Sequence, residues 1–219
     1  MNIPNLLSAL RIVLIPLFLY LLFVPSFSSR IWALVVFAFA SLTDLVDGWS
    51  ARKLNQETSF GKFLDPLADK FLVIAALVAF VILDPLVSLW MVFVIFGRDL
   101  MITLMRYLAI KKGEELRTSQ FGKIKTAFQM ISIIVIIMVF IVRSSGIDVA
   151  SPFIDKSHID IVSACDVWQS GHPNRLLIIG PYVLMMIVTV LTALSGVRYL
   201  FTNWRLLLPP YVKRDQDGR

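Results

Sequence analysis

Six blocks of apolar residues, at roughly 5–25, 31–47, 66–83, 87–110, 124–142 and 176–201, constrain this chain more than anything else in it. Each is near the length of about 20 residues that crosses a hydrocarbon core about 30 Å thick. Backbone in lipid must satisfy its own N–H and C=O groups, so blocks of this length are expected to be helices. Soluble domains carry about a quarter charged residues, whereas here 16% are charged and 58% are hydrophobic. The mean hydropathy of +0.79 agrees. The expected fold is an all-α integral membrane protein, a bundle of six transmembrane helices forming one domain over residues 1–219. Pro16 and Pro181 fall inside apolar runs and should kink their helices. The N-terminus shows neither the charged region nor the cleavage site of a signal peptide, so no processing is expected.

Charge placement orients such a bundle. Arg52, Lys53 and Lys62 follow the second block, and Lys111, Lys112, Arg117 and Lys123 follow the fourth. Arg205, Lys213, Arg214 and Arg219 sit in the tail 202–219, against Arg30, Arg143, Lys156 and Arg175 on the opposite side. Both termini are therefore expected in the cytoplasm, with 143–175 as an extracytoplasmic loop. The net charge of +6 does not point to nucleic acid, because the basic residues flank apolar blocks and form no stripe with a stacking platform. Cys165 has no partner for an internal disulfide, and His158 and His172 beside it match no zinc spacing.

Against this apolar background the stretch 44–69 stands out, reading D-x2-D-G-x2-A-R-x8-G-x3-D-x3-D. Carboxylates near a bilayer are costly unless paired or metal-bound, so the default reading is a functional site. Asp44 lies thirteen residues past Ile31 and Asp69 fourteen before Leu83, which at about 1.5 Å per residue is roughly 20 Å in each case. Both pairs are thus expected at one depth, about 10 Å inside the cytoplasmic boundary. Asp44 and Asp47 at i, i+3, and Asp65 and Asp69 at i, i+4, each share a helix face. Four carboxylates at close range cannot all stay ionised without cations between them. Oxygen-only ligands favour hard Mg²⁺, Mn²⁺ or Ca²⁺ over zinc, and four could hold two ions against a phosphate.

The neighbours fit that chemistry. Gly48 and Ala51 bare the helix for a substrate, and Arg52 is a phosphate partner. Gly61 is expected to ease the turn into the third span, and Pro66 to start its helix. Taken singly, Asp47 fits a solvated helix end, Gly48 a helix contact and Arg52 a topological anchor. The full set at fixed spacing is what carries the chemistry.

In Asp44, Asp47, Gly48, Ala51, Arg52, Gly61, Asp65 and Asp69 the chain resembles the CDP-alcohol phosphatidyltransferases, whose signature it matches without departure. The resemblance implies transfer of a phosphatidyl group from a CDP-linked lipid to an alcohol with release of CMP. It implies Asp44, Asp47 and Asp65 as ligands of Mg²⁺ or Mn²⁺, two ions in all, and Asp69 as both ligand and catalytic base. Gly48, Ala51, Arg52, Thr58 and Gly61, with Asn5 and Ser8 of the first block, would hold CDP-diacylglycerol. A bacterial inner-membrane location and a homodimer also follow from the resemblance. Spacing alone leaves open which carboxylate is the base, since a base is defined by its reach to the hydroxyl.

The acceptor rests on softer matches. The opening Asn2-Ile-Pro-Asn5 run, Asn55-Gln56, Gly97-Arg98-Asp99 and Gly122-Lys123-Ile-Lys125-Thr126 resemble family members that use sn-glycerol 3-phosphate. Arg98, eleven residues past Val87, should lie about 16 Å deep, near the carboxylates. An intramembrane arginine needs a partner. Asp99 or the acidic cluster could serve, or Arg98 with Arg106, Lys123, Lys125 and Arg198 could form a pocket for the acceptor phosphate. Other acceptors in the same family, among them phosphatidylglycerol, inositol phosphate and serine, stay open. A cation transporter is the reading from another class, but it should show acids at several depths, broken helices or inverted repeats.

Overall fold

The computed structural model describes the backbone of residues 3–54, 59–112, 120–146 and 174–203, and within these the side chains of 10–43, 70–105, 109, 125–146 and 174–203. The regular structure of the described residues is entirely helical: α1 (Ile3–Phe23), α2 (Phe27–Leu54), α3 (Ser59–Leu83), α4 (Leu89–Lys112), α5 (Gln120–Arg143) and α6 (Arg175–Asn203). Each apolar block of the sequence corresponds to one helix. The extension is longest at α2, which runs on past Asp47 to Leu54, so Asp44 to Arg52 ride one continuous helix. Gly61 and Pro66 do not mark a turn. Both lie inside α3, which opens at Ser59, a residue type favoured at helix starts. Most of the segment 143–175 and nearly all of the tail lie outside the described residues.

Helix α1 packs along both α2 and α3, which meet each other over only a short length. Helix α6 packs along α4 and α5, and an α2–α5 contact joins the two groups. Helical periodicity explains which residues go inside. Ala33, Phe37 and Ala40 form the buried stripe of α2, and Phe37 meets Phe18 of α1 with ring centroids 5.4 Å apart. Leu72, Ala76 and Phe80 do the same on α3, and the Phe80 ring meets Phe140 of α5 edge-on at 5.6 Å.

The outside is as apolar as the inside. Val13, Tyr20, Trp32, Phe93, Leu194 and Phe201 are 60–76% exposed. Large exposed apolar areas are rare on soluble monomers and suit hydrocarbon. The stretches Lys125–Arg143 and Arg175–Asn203 are long and apolar enough to cross a membrane. Leu10–Phe23, Phe27–Thr43 and Lys70–Leu83 are shorter apolar helices within the described residues.

Successive helices run in opposite directions, so the bundle has two ends. At the end where α2 starts and α5 finishes, a polar clasp ties four segments together. Pro181 has no N–H to offer the carbonyl four residues back, which is that of Leu177. Arg143 supplies the missing donors: its Nε and Nη2 donate to the Leu177 oxygen at 3.0 and 2.6 Å, and Nη2 also reaches the Ile178 oxygen at 3.1 Å. Its Nη1 donates to Asp84 Oδ2 at 2.8 Å in the α3–α4 connection. Burial pushes the Asp84 carboxyl above its ordinary range, while Arg143 and the Leu86 N–H work against that rise. From α2, Arg30 donates to the Phe140 carbonyl at 2.7 Å and to Ser144 Oγ at 2.6 Å. A cation at a helix C-terminus also meets the negative end of the helix dipole. Both guanidiniums stand over the Phe140 ring, at 5.7 and 5.4 Å. Gly146, at φ +86°, then turns the chain away in a conformation that favours glycine.

Removing one partner of a buried ion pair costs about 3–5 kcal/mol, because the other charge stays buried. Arg143→Ala should therefore lower unfolding stability in detergent micelles by about that much, and an unchanged melting midpoint would show that the clasp is not structural.

Candidate active site

At the other end of the bundle the chain carries the residues singled out by the sequence. Asp44, Asp47, Gly48, Ala51 and Arg52 occupy the second half of α2, and Gly61, Asp65 and Asp69 the first half of α3. Asn5 and Ser8 lie in the opening turns of α1, Arg106 near the end of α4 and Lys123 in the first turn of α5. For all of these the helical backbone is described and the side chains are not. Thr58 lies outside the described residues. The backbone bears out helical spacing through both carboxylate pairs, which keeps each pair on one face of its helix. Among the described residues there is no group of three or more metal-ligating side chains, and the four aspartates fall outside that set.

Four helices meet in a polar network whose centre is described in full. Asp99 Oδ1 accepts from Arg98 Nη1 at 2.9 Å and from Lys125 Nζ at 3.1 Å, joining α4 to α5. Arg98 Nη2 donates to Ser195 Oγ at 2.6 Å, which brings in α6. Thr103 Oγ1, one turn along α4, donates to the Asp99 carbonyl at 2.8 Å and in turn accepts from Lys70 Nζ of α3. Lys125 is buried, and it lies within electrostatic range of Arg98 and Lys70 as well as Asp99. Two cations thus share the Asp99 carboxylate, and Lys70 joins them through Thr103. A buried ammonium needs charge compensation, and one carboxylate oxygen divided between two donors leaves the group electropositive. Arg198, three residues past Ser195 on α6, is exposed.

Of the two roles open to Arg98 from sequence, the structure shows the Asp99 pairing directly, and the pairing does not exhaust the cations. Arg98 and Lys125 are brought together as expected. The sequence reading did not identify Lys70, Thr103 and Ser195. Lys70 had a signal, since it follows Asp69 directly in an apolar stretch. Ser195 had one too, as part of a Ser-Gly pair inside an apolar block. Tyr199 was also missed; its hydroxyl is buried one turn beyond Ser195 with no hydrogen-bond partner.

Gly196 explains how Arg98 fits. A Cβ at this position would sit 2.9 Å from Arg98 Cγ and 3.7 Å from Met101 Cε. The first distance is shorter than real contacts, and the colliding atom is near the base of the arginine, where it cannot swing away. The guanidinium reaches Ser195 because α6 offers no side chain at 196. Overpacking of this kind typically costs about 1–3 kcal/mol, so Gly196→Ala should lower stability by that amount. Combined with Arg98→Ala the added methyl should be tolerated, and a double-mutant cycle in thermal unfolding measures the coupling. Additive losses would place the clash elsewhere.

The comparison with known proteins follows the same residues. The family profile described as CDP-alcohol phosphatidyltransferase matches residues 1–156. The chain is 42% identical over 144 residues to a Bacillus subtilis (strain 168) protein named CDP-diacylglycerol–glycerol-3-phosphate 3-phosphatidyltransferase, covering 60% of this chain and 74% of that relative. A Pseudomonas fluorescens protein of the same name is 41% identical over 143 residues, covering 63% and 72%. One from Yersinia pestis (strain Pestoides F) is 31% identical over 215 residues, covering 96% and 99%. The signature on α2 and α3 therefore sits in a chain whose similarity to such enzymes runs nearly end to end, and the protein belongs to the CDP-alcohol phosphatidyltransferase family.

Proposed function

We propose that this enzyme transfers the phosphatidyl group of CDP-diacylglycerol to sn-glycerol 3-phosphate, giving phosphatidylglycerophosphate and CMP. The observation that carries the acceptor is the electropositive network of Arg98, Lys125 and Lys70 around Asp99. Lys70 follows Asp69 on α3, so the network reaches the helix that carries the proposed base. Free serine or a neutral lipid hydroxyl would need such a phosphate pocket less. The names of the relatives support the same acceptor.

The working enzyme is one domain over residues 1–219, with six spans and both termini in the cytoplasm. It sits in the bacterial inner membrane as a homodimer, with 143–175 outside. Asp44, Asp47, Asp65 and Asp69 would hold two divalent cations, Mg²⁺ or Mn²⁺. The donor set fits: it is all hard oxygen, on two helices whose spacing puts each pair on one face. When bound, the cations supply charge neutralisation at the phosphates. Gly48 and Ala51 leave room for the nucleotide beside α2, and Arg52, Thr58, Gly61, Asn5 and Ser8 complete the CDP-lipid site. Arg98 and Lys125, with Arg106, Lys123 and Arg198, orient the acceptor phosphate. Asp69 takes the proton of the acceptor's primary hydroxyl as that oxygen bonds to the lipid-bearing phosphorus. The bond from this phosphorus to the bridging oxygen breaks, and CMP leaves with that oxygen.

Purified protein given CDP-diacylglycerol, Mg²⁺ or Mn²⁺ and a panel of acceptors should release CMP with glycerol 3-phosphate alone. Absence of CMP with every acceptor would overturn the reading. General-base contributions are about 10²–10⁴-fold, so Asp69→Asn should cut turnover by that factor while CDP-diacylglycerol still binds. Near-normal turnover in this variant would remove Asp69 from the base role. Arg98→Ala should raise the KM for glycerol 3-phosphate and leave that for CDP-diacylglycerol unchanged.

A further inference from the structure

The α5–α6 interface beyond the basic network is polar where a membrane protein interior would be expected to be apolar. On α5 the buried stripe reads Lys125, Gln129, Ser132, then Ile133, Ile136 and Phe140. On α6 it reads Met185, Val188, Thr189, Thr192, Gly196 and Tyr199. Gln129, Ser132 and Thr192 are 3%, 2% and 0% exposed, yet Gln129 Nε2, Ser132 Oγ and Thr192 Oγ1 have no hydrogen-bond partner. Thr189, by contrast, donates to its own helix at Met185 and is satisfied. Buried polar groups are nearly always paired, so three orphans on two helices that pack together ask for a partner.

Their register says where that something sits. The two helices are antiparallel and packed together. Gln129 is four residues beyond Lys125, and Thr192 three residues before Ser195, about 6 and 4.5 Å respectively at the helical rise. Both therefore stand one turn deeper than the Asp99 network. Side chains on a helix lean toward its N-terminus, which tips Gln129 back toward Lys125.

We propose that Gln129, Ser132 and Thr192 form the hydroxyl-reading wall of the acceptor pocket and take the free secondary hydroxyl of a polyol phosphate whose phosphate rests on Arg98 and Lys125. This inference rests on the acceptor reading above. An amide donor and two hydroxyls, all buried, reject a ligand that lacks the matching hydroxyl because they are then left unpaired. Without a partner hydroxyl the same groups are unsatisfied, so the wall trades stability for selectivity.

The test uses full-length enzyme with two acceptors, sn-glycerol 3-phosphate and 3-hydroxypropyl phosphate, which differ only in the secondary hydroxyl. Wild type should prefer glycerol 3-phosphate by kcat/KM. Gln129→Leu and the near-isosteric Thr192→Val should each lose about tenfold or more on glycerol 3-phosphate, with little loss on the deoxy acceptor. Both variants should also melt at a higher temperature, since an orphaned polar group has been replaced by an apolar one. Equal losses on the two acceptors would mean that these residues only shape the helices or hold ordered water, and would overturn the inference. So would unchanged selectivity in both variants. A wild type inactive on glycerol 3-phosphate would overturn the acceptor reading itself, whereas an active wild type whose variants keep the wild-type preference overturns this inference alone.

Discussion

Asp99 Oδ1 is shared by two cations from different helices, and the arrangement of the site end depends on that sharing. Without it, Lys125 would be a buried ammonium with no counter-charge, and Arg98 would have no reason to lie flat against α6. The carboxylate draws α4 and α5 together and aims Arg98 Nη2 at Ser195. Thr103 and Lys70 then carry the link to α3, the helix of Asp65 and Asp69. A single acidic side chain thus holds basic residues of two helices, and its residue's carbonyl carries the link through Thr103 to a third.

The two ends of the bundle are organised on opposite principles. At the clasp, Arg143 has a carboxylate of its own and three bonds to main-chain carbonyls, and Arg30 caps α5. Charges there are neutralised or capped. At the site end, cations outnumber the described carboxylate and buried polar atoms go without partners. Polar groups that are costly to bury tend to persist where binding uses them.

Much of this was legible in the chain. The six apolar blocks, their helical state and the carboxylate spacing follow from element lengths and periodicity, which local sequence determines. Arg98 could be placed near the carboxylate level by counting residues. What counting could not give was register between helices. Whether Arg98 meets Asp99, Ser195 or both depends on how closely α4 approaches α6, and that is decided by one missing Cβ at Gly196. The orphaned polar face of Gln129 and Thr192 is of the same kind: each residue alone looks like an ordinary polar interruption in an apolar helix. Gly61 and Pro66 misled for a different reason, since their local turn preference yields to a helix already started at Ser59.

The clasp has a consequence for how this sequence can drift. Arg143 grips the oxygens of Leu177 and Ile178, atoms that any amino acid would supply at those positions. The side chain at 177 is free to change, whereas Ile178 is also held by its burial with Leu86 and Ile179. The burden falls instead on Pro181, whose missing N–H frees the first of those oxygens, and on Arg143, whose fork fills the gap. A lock cut into the main chain tolerates wear at the residues it touches and none at the two that shape it.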